Sequence, residues 1–138
     1  GTIAPTGKGV IVNLATGSAT DNWGNVDKLV GIEDVSGSRY GDVLTGNAAD
    51  NSLNGDDGND TITGDAGNDW LDGGNGADSL LGGLGMDQLS GGAGNDTIDG
   101  GADRDRVTYF NDYGTIAPTG KGVIVNLATG SATDNWGN

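Results

Sequence analysis

Aspartate recurs every nine residues through the middle of the chain, within stretches rich in glycine. The recurring positions hold Asp42, Asn51, Asp60, Asp69, Asp78, Asp87, Asp96 and Asp105. Aspartate offers hard oxygen ligands, and glycine permits the backbone angles that turn several carbonyl oxygens toward one point. The chain contains no Cys and no His, which removes the usual zinc ligands and leaves oxygen ligands for a hard cation such as calcium.

These aspartates lie in eight consecutive nine-residue blocks that span residues 37–108. Each block carries Gly first, Asp or Asn sixth and an aliphatic residue eighth. The eighth residues are Leu44, Leu53, Ile62, Leu71, Leu80, Leu89, Ile98 and Val107. The last three residues of a block, such as Thr61-Ile62-Thr63, alternate polar, apolar and polar, as in a very short strand with one inward side chain. The fixed period predicts a stacked repeat instead of a globular core.

The blocks resemble the nonapeptide GGxGxDxUx of the RTX (repeats-in-toxin) calcium-binding proteins, in which U is a large aliphatic residue. Four blocks over residues 55–90 fit the pattern closely, and residues 91–99 fit it fully. The resemblance covers a little over half of the chain. It implies an all-β fold, a right-handed parallel β-roll or β-solenoid, with two blocks in each turn and calcium ions bound between stacked turns.

The resemblance also implies a set of metal ligands. Each block pairs with the block two further along, which offers six pairs and up to about six calcium ions; the best matched are Asp60 with Asp78, Asp69 with Asp87, and Asp78 with Asp96. The implied ligands are Asp42, Asp60, Asp69, Asp78, Asp87, Asp96, Asp105, Gly55, Gly58, Gly64, Gly67, Gly73, Gly76, Gly82, Gly85, Gly91 and Gly94.

The blocks at both ends depart from the pattern. Asn51 replaces one carboxylate, and Tyr40, Ala49 and Asp103 stand where the fourth position of the motif has Gly. We therefore expect the pairs of Asp42 with Asp60 and of Asp87 with Asp105 to be distorted or empty, and the pair of Asn51 with Asp69 to lack one carboxylate. At the second position, Ser38, Asn47, Asp56 and Asp65 replace Gly. Asn and Asp tolerate left-handed backbone best, so most of these replacements preserve the loop geometry.

The composition indicates that the chain needs help to fold. It has 20 acidic and 6 basic residues, a formal charge of -14, 33% hydrophobic residues and 29 glycines, which is typical of disordered chains. Metal ions, a partner surface or self-association must supply the missing stability. The blocks hold 14 Asp and 3 Arg, so six divalent ions would nearly neutralise them. We expect ion binding and folding to be one event.

A long duplication surrounds the blocks, because residues 1–25 recur without a mismatch as residues 114–138. We expect four segments: 1–36 as irregular coils that lead into the roll, 37–108 as the roll, 109–113 as a junction and 114–138 as the start of the next copy. Val10, Val12 and Leu14 predict a strand, and the leading segment is long enough for two further turns of two blocks' length each. The duplication fits either a natural array or an engineered one. The chain has no initiator Met, signal peptide or long apolar span, which favours a fragment of a longer protein.

The expected function is a calcium-binding structural module, an extender, stalk, filament or surface-layer segment of a secreted or surface bacterial protein. The family resemblance implies type I secretion. The alternatives are an accessory module for secretion and folding of a secreted protease, lipase or alginate epimerase, and a polysaccharide-binding adhesin module. A ladder of aspartates without His or Cys argues against catalysis, so we expect no enzyme. The expected partners are calcium and neighbouring copies of the repeat; the acidic chain should repel nucleic acid and anionic membranes.

A few large hydrophobic residues interrupt the polar pattern outside the core positions. Trp70 and Leu81 occupy outward seventh and ninth positions, and Leu84 and Met86 lie in a loop. They form either a contact patch for a sugar or another protein, or isolated exposed side chains.

Overall fold

The computed structural model describes residues 7–109, 124–126 and 130–133, and every regular element in these ranges is a strand. The strands are β1 (Ile11–Asn13), β2 (Ser18–Thr20), β3 (Val26–Lys28), β4 (Asp34–Ser36), β5 (Val43–Thr45), β6 (Ser52–Asn54), β7 (Thr61–Ala66), β8 (Trp70–Asn75), β9 (Ser79–Leu84), β10 (Gln88–Ala93), β11 (Thr97–Ala102), β12 (Arg106–Val107), β13 (Ile124–Asn126) and β14 (Ser131–Thr133). None of the described residues forms a helix able to cross a membrane.

Two sheets run along the nine-residue blocks. One has the strand order β11-β9-β7-β5-β1-β2-β3, and the other has the order β12-β10-β8-β6-β4. Strands of successive blocks alternate between the sheets, and each pairs in parallel with the strand two blocks away, as Leu44 does with Ile62. Two blocks therefore make one turn of a β-solenoid of about four turns, which confirms the predicted fold class.

The core is a column of single aliphatic side chains, one from each block. Leu44, Leu53, Ile62, Leu71, Leu80 and Leu89 are at most 1% exposed. Ile98 packs against this column, whereas Val107 is 44% exposed, so the column ends near the last block. Full burial of such a side chain contributes about 1.5–3 kcal/mol. A column of this width offers few such contributions, as the composition predicted.

The segment before the first block continues the roll in part. Strand β4 pairs in parallel with β6 at the spacing of two blocks, with Val35 opposite Leu53. The strand predicted from Val10, Val12 and Leu14 is confirmed as β1, which pairs in parallel with β5 and places Val12 opposite Leu44. A turn closed by the Gly17 amide and the Leu14 carbonyl (3.2 Å) then reverses the chain. Because the reversal is immediate, β2 and β3 continue the sheet as antiparallel strands instead of crossing to the opposite sheet.

The second copy of the duplicated segment contains the same hairpin. Strands β13 and β14 pair in antiparallel fashion with Ile124 opposite Thr133, as Ile11 lies opposite Thr20 in β1 and β2. They form a sheet of their own. The predicted junction, apart from residue 109, and most of residues 114–138 lie outside the described residues.

Candidate metal centre

The sixth residue of each of the first six blocks is buried within the loops that connect the strands. Asp42, Asn51, Asp60, Asp69, Asp78 and Asp87 are 1–4% exposed. A carboxylate taken out of water is unfavourable unless it meets hydrogen-bond donors or a cation. The partners of each oxygen atom therefore indicate what the loops are built to hold.

One oxygen of each aspartate accepts a hydrogen bond from the preceding turn. The amide of Asp60 donates to Oδ1 of Asp78 at 2.8 Å. The same bond joins the amides of Asp42, Asn51, Asp69, Asp78 and Asp87 to Oδ1 of Asp60, Asp69, Asp87, Asp96 and Asp105, respectively, at 2.7–3.1 Å. The structure brings together all six pairs of blocks that the resemblance implies, including those with irregular sequences.

The hydrogen bonding of the other oxygen, Oδ2, differs between four of these aspartates and the rest. Among the described residues, Oδ2 of Asp60, Asp69, Asp78 and Asp87 is buried without a hydrogen-bond partner. An unsatisfied buried polar atom costs about 1–3 kcal/mol, and a charged one costs more. Four such atoms in one small roll require a compensating group.

The first glycine of each block shows what lies beside these oxygens. A Cβ atom on Gly55 would collide with Oδ2 of Asp60 and with the carbonyl oxygen of Gly73. The same arrangement recurs at Gly64 with Asp69 and Gly82, at Gly73 with Asp78 and Gly91, and at Gly82 with Asp87 and Gly100. A carboxylate oxygen without a donor and a carbonyl oxygen thus converge on one point. This donor set is the kind that calcium takes.

The fourth glycine of a block lets successive loops approach closely. Gly76 has a φ of 148°, and a Cβ there would collide with the carbonyl oxygen of Gly58 one turn earlier. The other fourth-position glycines over residues 55–99 also have positive φ: Gly58, Gly67, Gly85 and Gly94. Loops in this conformation keep the oxygens of adjacent turns near one another.

The residues that replace Gly keep its left-handed backbone at Asp but not at Asn47, where the expectation was wrong. Asp56 and Asp65 adopt left-handed backbone with φ of 78° and 85°, as expected for Asp, whereas Ser38 and Asn47 do not. At the fourth position, Asp103 also adopts a φ of 78°. The last block therefore retains its loop conformation despite the departure from the motif.

The electrostatics of the roll without metal are unfavourable. Burial raises the pKa of Asp69 and of Asp78 to about 6, against the opposing effect of the amide donor from the preceding turn. Nearby carboxylates raise the pKa further; for Asp78 these include Asp60 and Asp96. Burial also raises the pKa of Asp60 and of Asp87. A divalent cation would remove this penalty by stabilising the ionised form.

The residues present fit calcium. Residues 7–109 and the described parts of the second copy contain no group of three or more acidic side chains suited to a metal. The site instead combines one carboxylate per block with backbone carbonyl oxygens. Calcium accepts such mixed oxygen sets with flexible geometry. Asp60, Asp69, Asp78 and Asp87 would supply the carboxylates, and Gly73, Gly82, Gly91 and Gly100 would supply carbonyl oxygens.

The ends of the ladder differ from its middle. Asp96 and Asp105 are only partly buried. The blocks end at residue 108, so neither residue has the first glycine of a block two further along, whose carbonyl oxygen lies beside the other aspartates. At the other end, Oδ1 of Asp42 accepts hydrogen bonds from the Val10 amide at 2.6 Å and from the Ser38 hydroxyl at 2.9 Å. The Ser38 amide donates to Oδ2 of Asp42. The motif gave no sign of the Val10 contact, because Val10 lies outside the blocks.

Trp70 and Leu81 are exposed, as predicted, but the prediction that Leu84 lies in a loop was wrong, because Leu84 is the last residue of β9. Trp70 is 44% exposed in β8, whereas Leu81 and Leu84 are exposed in β9 of the other sheet. Met86 is also exposed. These side chains are thus divided between two sheets.

Comparison with known families agrees with the geometry. A family model described as the RTX calcium-binding nonapeptide repeat matches in four copies, over residues 36–71, 45–80, 54–89 and 81–109. No curated protein matches the chain. The RTX repeat is a structural calcium-binding fold, not a catalytic family, and is typical of secreted bacterial proteins. With more than half of its residues matched, this chain belongs to the RTX calcium-binding nonapeptide repeat family and contains a calcium-binding repeat module.

Proposed function

We propose that this chain is a structural segment of a secreted or surface bacterial protein, folded by calcium outside the cell. It would act as an extender, stalk, filament or surface-layer element and have no catalytic role. The observation that carries the proposal is the set of four buried carboxylate oxygens without donors, in Asp60, Asp69, Asp78 and Asp87. A calcium ion at each would satisfy an atom that the chain itself leaves unsatisfied.

The proposed ions join turns that are adjacent along the roll. An ion beside Gly55 would contact Oδ2 of Asp60 and the carbonyl of Gly73, which is the first glycine two blocks further on. Four ions would offset much of the net charge of the blocks, in which 14 Asp face 3 Arg. The hydrophobic column is too slender to oppose that repulsion unaided, so ion binding and folding would be coupled.

The proposed switch matches the difference in calcium between compartments. Extracellular calcium modules bind with Kd values of about 10⁻⁴–10⁻³ M, well above cytosolic free calcium. The chain would therefore stay unfolded before secretion and fold after it. We further propose that residues 1–113 form one unit of a tandem array, with residues 37–108 as its calcium-loaded part and residues 114–138 as the start of the next unit.

Circular dichroism of the full chain tests this proposal. We expect little β signal in EGTA and a full β signal in about 5 mM calcium. The same signal in both solutions would mean that calcium does not drive folding. A control titration with sodium chloride at equal ionic strength separates specific binding from charge screening.

The exposed Trp70 supports a second candidate function, adhesion to polysaccharide. Its ring lies on the outer face of β8, between Ser52 of β6 and Gln88 of β10. An exposed aromatic ring beside hydrogen-bonding side chains can stack on a sugar. Binding to a glycan array that is lost in Trp70→Ala and kept in Trp23→Ala would support adhesion. Absence of binding by the unmodified chain would reject it.

A further inference from the structure

The first aspartate of the ladder has a different environment from those that follow. Oδ2 of Asp60 has no donor, whereas both oxygens of Asp42 are hydrogen-bonded within the chain. Val10 and Ser38 supply the three donors. These donors take three of the roughly four lone-pair sites of the carboxylate. Oδ2 of Asp42 lies beside Gly37 and the Gly55 carbonyl, as Oδ2 of Asp60 lies beside Gly55 and the Gly73 carbonyl, but it already accepts a hydrogen bond.

Val10 occupies the place of a missing turn. In the rest of the ladder, Oδ1 of each aspartate accepts the amide of the sixth residue two blocks earlier, as Asp78 does from Asp60. No block precedes Asp42 at that spacing, and the Val10 amide from outside the repeat takes this role at 2.6 Å. The hairpin segment thereby continues the hydrogen-bond ladder beyond the repeat.

Ser38 supplies the other two donors to Asp42. The second positions of the blocks hold Ser38, Asn47, Asp56, Asp65, Gly74, Gly83, Gly92 and Gly101, and Ser38 alone carries a hydroxyl. The hydroxyl donates to Oδ1 of Asp42 at 2.9 Å, and the amide of the same residue donates to Oδ2. One residue thus reaches both oxygens of the carboxylate.

The second block is also satisfied without a metal. Asn51 replaces the aspartate, and its Oδ1 accepts the amide of Asn47 at 2.7 Å. Asp42 and Asn51 are the sixth residues of the two blocks that form the first full turn of the roll, and both are hydrogen-bonded within the chain. The requirement for a cation starts at the third block, with Asp60.

The hairpin packs where this turn begins. Val12 lies opposite Leu44 in the sheet and is 7% exposed, so the hairpin extends the hydrophobic column. Gly9 lies so close that a Cβ would collide with the Gly41 carbonyl and with Oδ1 of Asp42. The hairpin thus contacts the first block through apolar packing of Val12 and through the hydrogen bond from the Val10 amide to the Asp42 carboxylate. The copy β13–β14 keeps the same pairing in a separate sheet, so the hairpin does not need this docking to pair its strands.

We propose that Asp42 does not bind calcium and instead anchors the β1–β3 hairpin as a metal-independent cap on the first turn of the roll. Calcium loading would then begin at Asp60. This inference rests on the proposed function, because it assigns where the calcium-dependent part of the roll begins.

The test counts bound calcium ions in the full chain and measures hydrogen exchange of the Val10 amide at saturating calcium. The variants are Asp42→Asn, Ser38→Ala and Asp60→Asn. Asp42→Asn and Ser38→Ala should both keep the full number of ions. In Asp42→Asn the Val10 amide should exchange about tenfold faster or more, as loss of a charged hydrogen bond predicts. In Ser38→Ala the increase should be smaller, because that variant keeps the Val10–Asp42 bond and loses only the hydroxyl that donates to Asp42. Asp60→Asn should lose one ion and leave Val10 protected.

The outcomes separate this inference from the proposed function. If Asp42→Asn loses an ion while the roll stays folded, Asp42 is a ligand and the inference is wrong. Loss of an ion in Ser38→Ala would place a calcium site in the first block and would also reject the inference. Unchanged Val10 exchange in both variants would equally reject the anchor. If the unmodified chain binds no calcium, or Asp60→Asn keeps every ion, the proposed calcium sites fail instead. Ser38→Ala keeps the test decisive even if Asp42→Asn does not fold.

Discussion

The amide of Asp60 donates to Oδ1 of Asp78 at 2.8 Å, while Oδ2 of each residue stays buried without a donor. One half of the carboxylate therefore holds the turns in register, and the other half is free to bind a cation. In the proposed sites, a single aspartate per block would then serve both purposes.

The first glycine of a block should not tolerate a side chain. A Cβ in Gly73→Ala would meet Oδ2 of Asp78 and the carbonyl of Gly91. We expect the calcium midpoint of folding to rise at least severalfold, measured by circular dichroism. Gly24→Ala is the control, because space around Gly24 is open, and its strained φ should cost only about 1 kcal/mol. Equal effects of the two substitutions would contradict the proposed role of the first glycine.

The aliphatic column should be sensitive to truncation even with calcium bound. Leu71 is fully buried, so Leu71→Ala should destabilise the calcium-loaded roll by about 2–5 kcal/mol. Leu84 is 60% exposed, and Leu84→Ala should change stability by less than about 0.5 kcal/mol. Thermal unfolding in saturating calcium measures both. A large loss in Leu84→Ala would place that residue in a packed interface.

Acid should favour the roll when calcium is absent. The pKa of Asp69 and of Asp78 is raised to about 6 in the folded chain, from an ordinary value of 3.8, so the folded state holds more protons between these limits. The associated stability is present below about pH 4 and is lost as the pH rises through about 6. In EGTA, circular dichroism should show more β structure at pH 4.5 than at pH 7.5. The reverse order would contradict these shifts.

Calcium binding should have the opposite pH dependence. Ions must displace protons from carboxylates such as Asp69 and Asp78, so apparent calcium affinity should fall as the pH drops below about 6. Titrations at pH 5 and pH 7.5 measure this difference. An affinity independent of pH over this range would mean that these carboxylates do not meet the ions.

Magnesium should not replace calcium. Magnesium demands near-ideal octahedral geometry and keeps several waters, whereas the stacked loops offer a mixed set of carboxylate and carbonyl oxygens. Magnesium at about 5 mM should leave the β signal close to that in EGTA. A full β signal in magnesium would indicate charge neutralisation without a specific site.

The repeat itself could be predicted from the sequence because its physics is local and periodic. A single aliphatic residue in each block predicted the buried column from Leu44 to Leu89, and the turn of two blocks followed from the family resemblance. The left-handed backbone at Asp56 and Asp65 followed from the tolerance of Asp for that conformation. These features depend on residue type and spacing alone.

The start of the roll could not be predicted in the same way. The pairing of β1 with β5 joins a segment outside the blocks to the first block and has no period. The segment continues the roll through β4, which is parallel to β6, whereas β2 and β3 are antiparallel. The motif likewise treats Asp42 and Asp60 alike. They differ because a hydroxyl at Ser38 and a distant amide at Val10 reach one and not the other. Contacts of this kind arise only once the chain is folded.

Hydrogen exchange of the backbone amides over residues 55–102, with and without calcium, tests the central claim most directly. In this region the amides of Asp60, Asp69, Asp78 and Asp87 donate to the carboxylate of the next turn. If calcium folds the roll, these amides exchange rapidly in EGTA and are strongly protected in calcium, with protection appearing together as ions bind. Equal protection in both conditions would show that the roll folds without calcium.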